Sequence, residues 1–167
     1  MKTLFLLRHA KSSWNDSTVR DFDRPLNKRG QKAAPLIGRY LRKRKELPDL
    51  VISSPAERAR QTTALVVEAA GISAEVRFDE RIYEASTDLL MTVVSECDEN
   101  ADAVLLVGHN FGIEQLLERL TGEVRHMPTA ALARINLDIE TWRDIRDRSG
   151  VLDWFMTPKD SKVTVDR

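Results

Sequence analysis

Three short apolar runs, at 3–7, Leu50–Ser53 and 103–107, each end at a polar residue or a glycine, and amphipathic stretches of helical period separate them. Runs this short, without polar alternation, suit strands buried on both faces, as in parallel sheets covered by helices. Between the first two, Ala33, Ile37, Tyr40 and Leu41 share a helical face, and Pro35 is expected either to kink that helix or to mark its true start. Ala59, Thr63, Val66, Val67 and Ala70 make a second stripe, closed by Gly71. Leu89, Leu90, Val93, Val94 and Cys97 make a third; Ile113, Leu116, Leu117 and Leu120 make a fourth that stops near Gly122. Two further strands are expected, at Leu132–Leu137, which alternates, and at 151–156, which is short and aromatic. Strand, helix, strand, helix predicts an α/β fold, a three-layer sandwich around a largely parallel central sheet.

The length of 167 residues fits a single domain, expected over 1–159, followed by a polar tail at 160–167 without core periodicity. Lysine plus arginine equals aspartate plus glutamate, 26 each, so no net field draws the chain to nucleic acid or to a membrane. The apolar run near the N-terminus is too short for a signal sequence or a membrane span, and a cytoplasmic location is expected. Cys97 is the only cysteine, which excludes an internal disulfide, and it reads as a small apolar residue on a helix face. Three histidines without His-Glu-x-x-His spacing offer little for a metal, and no glycine-rich phosphate loop is present. Neither metal nor cofactor is expected.

In an open parallel sheet, ligands bind beyond the carboxyl ends of the strands. Arg8 and His9 follow the first run directly, Ser54 to Ala59 follow the second, and His109 and Asn110 follow 103–107. These segments should meet on one rim. Ser54 reads as a helix N-cap, Pro55 as the first helical residue and Glu57 as the third, which together make a capping box. Arg58 then lies in a first helical turn, where the backbone already favours an anion. Arg8 and Arg58, as planar guanidiniums, could cradle a dianion between them. This is equipment for handling phosphate.

Leu7-Arg8-His9-Ala10, Ser54-Pro55-Ala56-Glu57-Arg58-Ala59-Arg60-Gln61-Thr62 and Gly108-His109-Asn110, in this order and spacing, resemble the signatures of the histidine phosphatase superfamily, which includes the phosphoglycerate mutases. The short length, Arg24-Pro25-Leu26 and Met127-Pro128-Thr129-Ala130 resemble most the SixA type of phosphohistidine phosphatase. The resemblance implies a phosphoglycerate mutase-like fold with His9 as nucleophile and a transient phosphoryl group on its ring. It implies that Arg8, Arg58 and His109 bind the phosphoryl oxygens, with Asn110 and Lys11 as further substrate contacts. A general acid would fall at Glu80 or at its neighbour Glu84. The family's commoner first motif ends in glycine where this chain has Ala10, so a methyl group must be accommodated there.

The activity so implied is a metal-independent phosphatase acting on phosphohistidine in signalling proteins. Its partner would be a histidine phosphotransfer domain. Two alternatives stand beside it: a small-molecule phosphomonoesterase using Glu80 as acid, and a catalytically idle phosphoprotein-binding module. Arg20, Arg24 and Lys11 could extend the phosphate patch, but ordinary surface charge is the simpler account. His126 reads as a plain loop residue, and Trp14 as a pocket wall or a packing residue. The run Arg42-Lys43-Arg44-Lys45 reads as a solvated helix end.

Overall fold

The structure, a computed structural model, describes residues 1–160; the rest of the expected polar tail, 161–167, lies outside the described residues. Six strands form one sheet: β1 (Lys2–Arg8), β2 (Leu50–Ser53), β3 (Glu75–Phe78), β4 (Ala103–Gly108), β5 (Leu132–Leu137) and β6 (Gly150–Met156). They lie in the order β3-β2-β4-β1-β5-β6. The first four pair in parallel, and β5 and β6 add antiparallel strands on one side. Four helices cover the faces: α1 (Lys28–Arg44), α2 (Glu57–Ala70), α3 (Thr87–Ser95) and α4 (Gly112–Thr121).

Period-two alternation in β1 divides the core into two layers. Leu4 and Leu6 join the cluster built with Leu90, Val94, Ile113 and Leu117 from α3 and α4. Phe5 and Leu7 join the cluster with Ile37, Leu41, Ala59 and Val66 from α1 and α2. Leu4, Leu6 and Leu7 are wholly buried. Each such side chain contributes about 1.5–3 kcal/mol relative to exposure, so β1 is the spine of both layers.

Helix α1 starts at Lys28, where the Asn27 side chain accepts a hydrogen bond from Gly30 N at 2.9 Å. The helix therefore passes through Pro35, which does not mark its start and merely leaves one carbonyl of the preceding turn without its usual donor. The capping box expected at Ser54 and Glu57 does not form. The N-cap of α2 is Ala56, without a side-chain bond, and Glu57 accepts instead from Gln61 Nε2 at 2.9 Å. Ser54 is wholly buried and its hydroxyl is used elsewhere. Cys97 lies just beyond α3, buried in the core, where burial pushes its thiol up to about 12 and leaves it unreactive.

The chain leaves β1 for α1 on one face of the sheet and leaves β4 for α4 on the other. Since β1 and β4 are adjacent, a crevice opens between their carboxyl ends, at the point where the winding reverses.

Candidate active site

Register brings the two histidines level. Arg8 pairs with Gly108 across the β1–β4 ladder, and His9 N donates to Gly108 O at 3.0 Å. Ser54 N donates to Val107 O at 3.0 Å, which ties the third segment to the same rim. The His9 and His109 rings then lie 5.1 Å apart between centroids, tilted by 52°. Arg8, His9, Lys11, Ser12, Trp14, Arg24, Arg58, His109, Asn110 and Thr129 line one cleft of about 210 Å³.

The proton on His9 can be assigned. Its Nδ1 lies 2.7 Å from Ala10 O, and a carbonyl oxygen only accepts, so Nδ1 carries the hydrogen and Nε2 keeps its lone pair. Burial, assisted by the positive charges of Arg58 and Arg8 and by His109, lowers the His9 pKa to about 3. His109 falls to about 4, again chiefly through burial and then through Arg58. Both rings are neutral at pH 7. His109 Nε2 lies 2.7 Å from Ser54 Oγ. Ser54 Oγ already accepts from Ala56 N at 3.2 Å, and its own hydrogen, buried, has His109 Nε2 as acceptor. That arrangement puts the His109 proton on Nδ1.

Five buried side-chain polar atoms lack a hydrogen-bond partner among the described residues, and four belong to this cleft: Arg8 Nε, Arg58 Nε, His109 Nδ1 and Asn110 Oδ1. Buried polar groups are rarely left unpaired, so their gathering at one place marks where a ligand binds. Three of the four are nitrogens able to donate to an oxyanion.

The other bonds of these residues hold them still. Arg8 Nη1 donates to Met127 O at 3.0 Å. Arg58 Nη1 donates to Asp21 O at 2.6 Å and its Nη2 to Asp21 Oδ2 at 3.1 Å. Asp21 Oδ2 also accepts from the Tyr83 hydroxyl at 2.6 Å, and Asp21 Oδ1 from Arg24 Nη2 at 2.9 Å. This company holds the Asp21 carboxyl down at about 2. Asn110 Nδ2 donates to Glu114 Oε1 at 2.7 Å and to Met127 O at 3.0 Å. Thr62 Oγ1 accepts from Ala10 N at 2.9 Å, and the Ala10 methyl is buried in the core cluster under α1 and α2. The methyl that replaces glycine thus packs with the core.

Arg8, His9, Arg58, His109, Asn110 and Lys11 are brought together. Glu80 is not: it is exposed, in a one-turn helix after β3, and does not line the cleft. Glu84 is also exposed but lines an adjoining cavity of about 280 Å³ with His109, Asn110 and Phe111. Arg24 is a correction to the reading as surface charge, since it is only 8% exposed and bonds Ser12 Oγ at 2.8 Å inside the cleft. Trp14 is exposed and lies against the Arg24 guanidinium, 3.5 Å from ring centroid to Cζ. Arg20 is exposed and pairs with Asp23; His126 is exposed with Nδ1 2.8 Å from Glu114 Oε1. Asp21 and Tyr83 were invisible to motif reading. The only local hint was the Asp21–Arg24 pair at a spacing of three.

Among the described residues no group of three or more His, Cys, Asp or Glu side chains is placed to hold a metal, and no helix is long and apolar enough to cross a membrane. The fold and cleft define an α/β protein with an oxyanion site at the switch point of its sheet. The sequence profile of the Histidine phosphatase superfamily (branch 1) matches residues 4–90. The chain belongs to that superfamily. An uncharacterized chloroplastic protein of Arabidopsis thaliana is 30% identical over 92% of this chain and 74% of its own length. Among solved structures, the candidate phosphohistidine phosphatase SixA from Agrobacterium tumefaciens is 32% identical, with a TM-score of 0.81 over 94% of this chain and 98% of that one. A second candidate SixA, from Nakamurella multipartitia, is 32% identical, with a TM-score of 0.83 over 94% and 96%. Family and neighbours together support phosphatase activity.

Proposed function

We propose that the chain is a metal-independent phosphatase acting through a phosphoryl group carried on His9, with phosphohistidine of a signalling protein in the cytoplasm as substrate. One observation carries this reading: among the described residues, a neutral His9 ring with a free Nε2 stands beside unpartnered buried donors, and no carboxylate lines the cleft. The His9 Nε2 lone pair attacks phosphorus, and the new P–N bond forms as the bond to the substrate ring breaks. The departing imidazole nitrogen takes its proton from water. Arg8, Arg58 and His109 hold the phosphoryl oxygens, with Lys11 and Asn110 at the edge. The Nδ1–H bond to Ala10 O strengthens as the His9 ring becomes cationic. Water then attacks phosphorus, the Nε2–P bond breaks, and inorganic phosphate leaves. Positioning and fixed charge are the main requirements of such a transfer.

The missing acid supports the substrate. An alkoxide leaving from an oxygen ester needs a proton from a positioned group. Glu80 is outside the cleft, and Asp21 is held as an ion. An imidazole needs less help. The SixA neighbours, described as candidate phosphohistidine phosphatases, point the same way. A second reading, a small-molecule phosphomonoesterase, rests on Glu84 rather than Glu80, because Glu84 shares a cavity wall with His109.

The test is loss of label from a phosphohistidine-bearing phosphotransfer domain, with acid quench to trap the phosphoenzyme. Label should pass to His9, and His9→Ala should lower turnover by roughly a thousandfold or more. Unchanged label beside rapid hydrolysis of a small phosphomonoester would overturn the substrate, and sensitivity of that hydrolysis to Glu84→Gln would establish the second reading. Retained label with tight binding and no phosphoenzyme would leave only a phosphoprotein-binding module.

A further inference from the structure

A groove of about 570 Å³ adjoins the phosphate cleft and shares Lys11 and Thr129 with it. Its remaining walls are Arg29, Lys32, Ala33 and Leu36 of α1, Pro128, and Thr157 to Lys159 after β6. Lys11, Arg29, Lys32 and Lys159 are exposed, and among the described residues no carboxylate lines the groove. On a chain of zero formal charge this is a local excess of one sign. None of the four cations forms an ion pair among the described residues, although Asp21, Asp79 and Glu46 elsewhere are bonded to arginines.

Helix polarity sharpens the point. The first turn of α1 carries no acidic residue, while Lys28 and Arg29 open the helix and Lys32 follows one turn later. Cations at a helix N-terminus oppose its dipole and cost stability unless something offsets them. Here they stand beside the mouth of a phosphate site. Buried Gly30 holds this turn against the loop after β1: a Cβ on it would lie 2.2 Å from Lys11 O. The backbone that carries these cations is thus held against the segment that follows His9.

We propose that this groove receives an acidic segment of the phosphorylated protein, with aspartate or glutamate side chains flanking the residue that delivers its phosphate to His9. Charge complementarity identifies the occupant, and the half-buried Ala33, Leu36 and Pro128 give its aliphatic carbons a floor. The inference rests on a protein substrate, and it deepens the proposed function by stating what that protein carries beside its phosphate.

The test uses four synthetic peptides, phosphohistidine or phosphoserine at the centre, each flanked by either aspartates or asparagines. Wild type and the double variant Arg29→Glu/Lys32→Glu are compared on all four, with p-nitrophenyl phosphate, a small ester whose phenolate leaves without a positioned acid, as control. For the phosphohistidine pair, wild type should favour the aspartate flank on the order of tenfold in kcat/KM, the effect lying in KM and shrinking with salt. The variant should lose or invert that preference while its hydrolysis of the small ester stays unchanged. Equal use of both flanks by wild type overturns the groove and leaves the phosphohistidine chemistry standing. Turnover of only the phosphoserine pair, still favouring aspartate, upholds the groove and overturns the phosphohistidine substrate. Turnover of neither pair beside a hydrolysed ester overturns both. A variant impaired equally on every substrate, the ester included, also overturns the groove, because the damage would then be general.

Discussion

A histidine that attacks phosphorus must offer a lone pair, and His9 is made to do so by two independent means. Its Nδ1 is committed to Ala10 O, and burial beside Arg58 and Arg8 keeps the ring from taking a second proton until about pH 3. NMR of ring nitrogens should therefore find His9 neutral and protonated on Nδ1 at pH 5.5, where an unperturbed histidine is mostly cationic. A cationic His9 at that pH would remove the nucleophile from this account. Arg8, His9 and His109 were legible because each lies at a strand end, which can be read from an apolar run, and Arg58 because it lies in the first turn of the helix that follows one. Asp21 was not legible. Its role is to hold Arg58, 37 positions away, and Tyr83, 62 away, and no local pattern encodes such distances. Ser54 was misread for a related reason. A serine before a helix reads as a cap, yet its hydroxyl lies against His109, just beyond the end of another strand.

Elements place these residues, and α1 does so with the least slack. Gly30 has an ordinary negative φ, so its need for glycine comes from contact alone: a methyl group would meet the Lys11 backbone at 2.2 Å. The β1 loop cannot yield without moving Lys11 of the cleft, nor the helix without moving Arg29 and Lys32 of the adjoining groove. Gly30→Ala should cost about 1–3 kcal/mol in stability, as overpacking does, and should also raise KM by displacing Lys11. Thermal melts and steady-state kinetics on the same preparation check both. A change in neither would show that the loop moves freely. The buried elements were the readable ones. β1, β2 and β4 are covered on both faces and appear as apolar runs, whereas β3, at the sheet edge, reads Glu-Val-Arg-Phe with its ends exposed and gives no run. Pro35 was ambiguous because proline is tolerated in a first turn and costly later; the Asn27 cap fixes the start earlier, and packing on α2 carries the helix past it.

At the scale of the whole molecule the active site imposes a cost on folding that depends on pH. His9 and His109 titrate near 3 and 4 in the folded protein, and near 6.5 when unfolded. Between those values the unfolded chain binds protons that the folded chain refuses, so stability falls as pH falls. The contribution is complete above about 6.5 and is lost progressively down to about 4 for His109 and about 3 for His9, at roughly 1.4 kcal/mol per pH unit for each ring. Asp21, held near 2, has the same sign but acts only below its unfolded value near 3.8. The loss between pH 6.5 and 4.5 therefore belongs mainly to the two rings. Thermal melting of wild type should drop by roughly ten degrees across that interval. The double variant His9→Asn/His109→Asn, whatever its stability at pH 7, should show a much flatter slope. An equal slope in both proteins would mean that the rings accept protons without unfolding, and that the cleft is wetter than its burial implies.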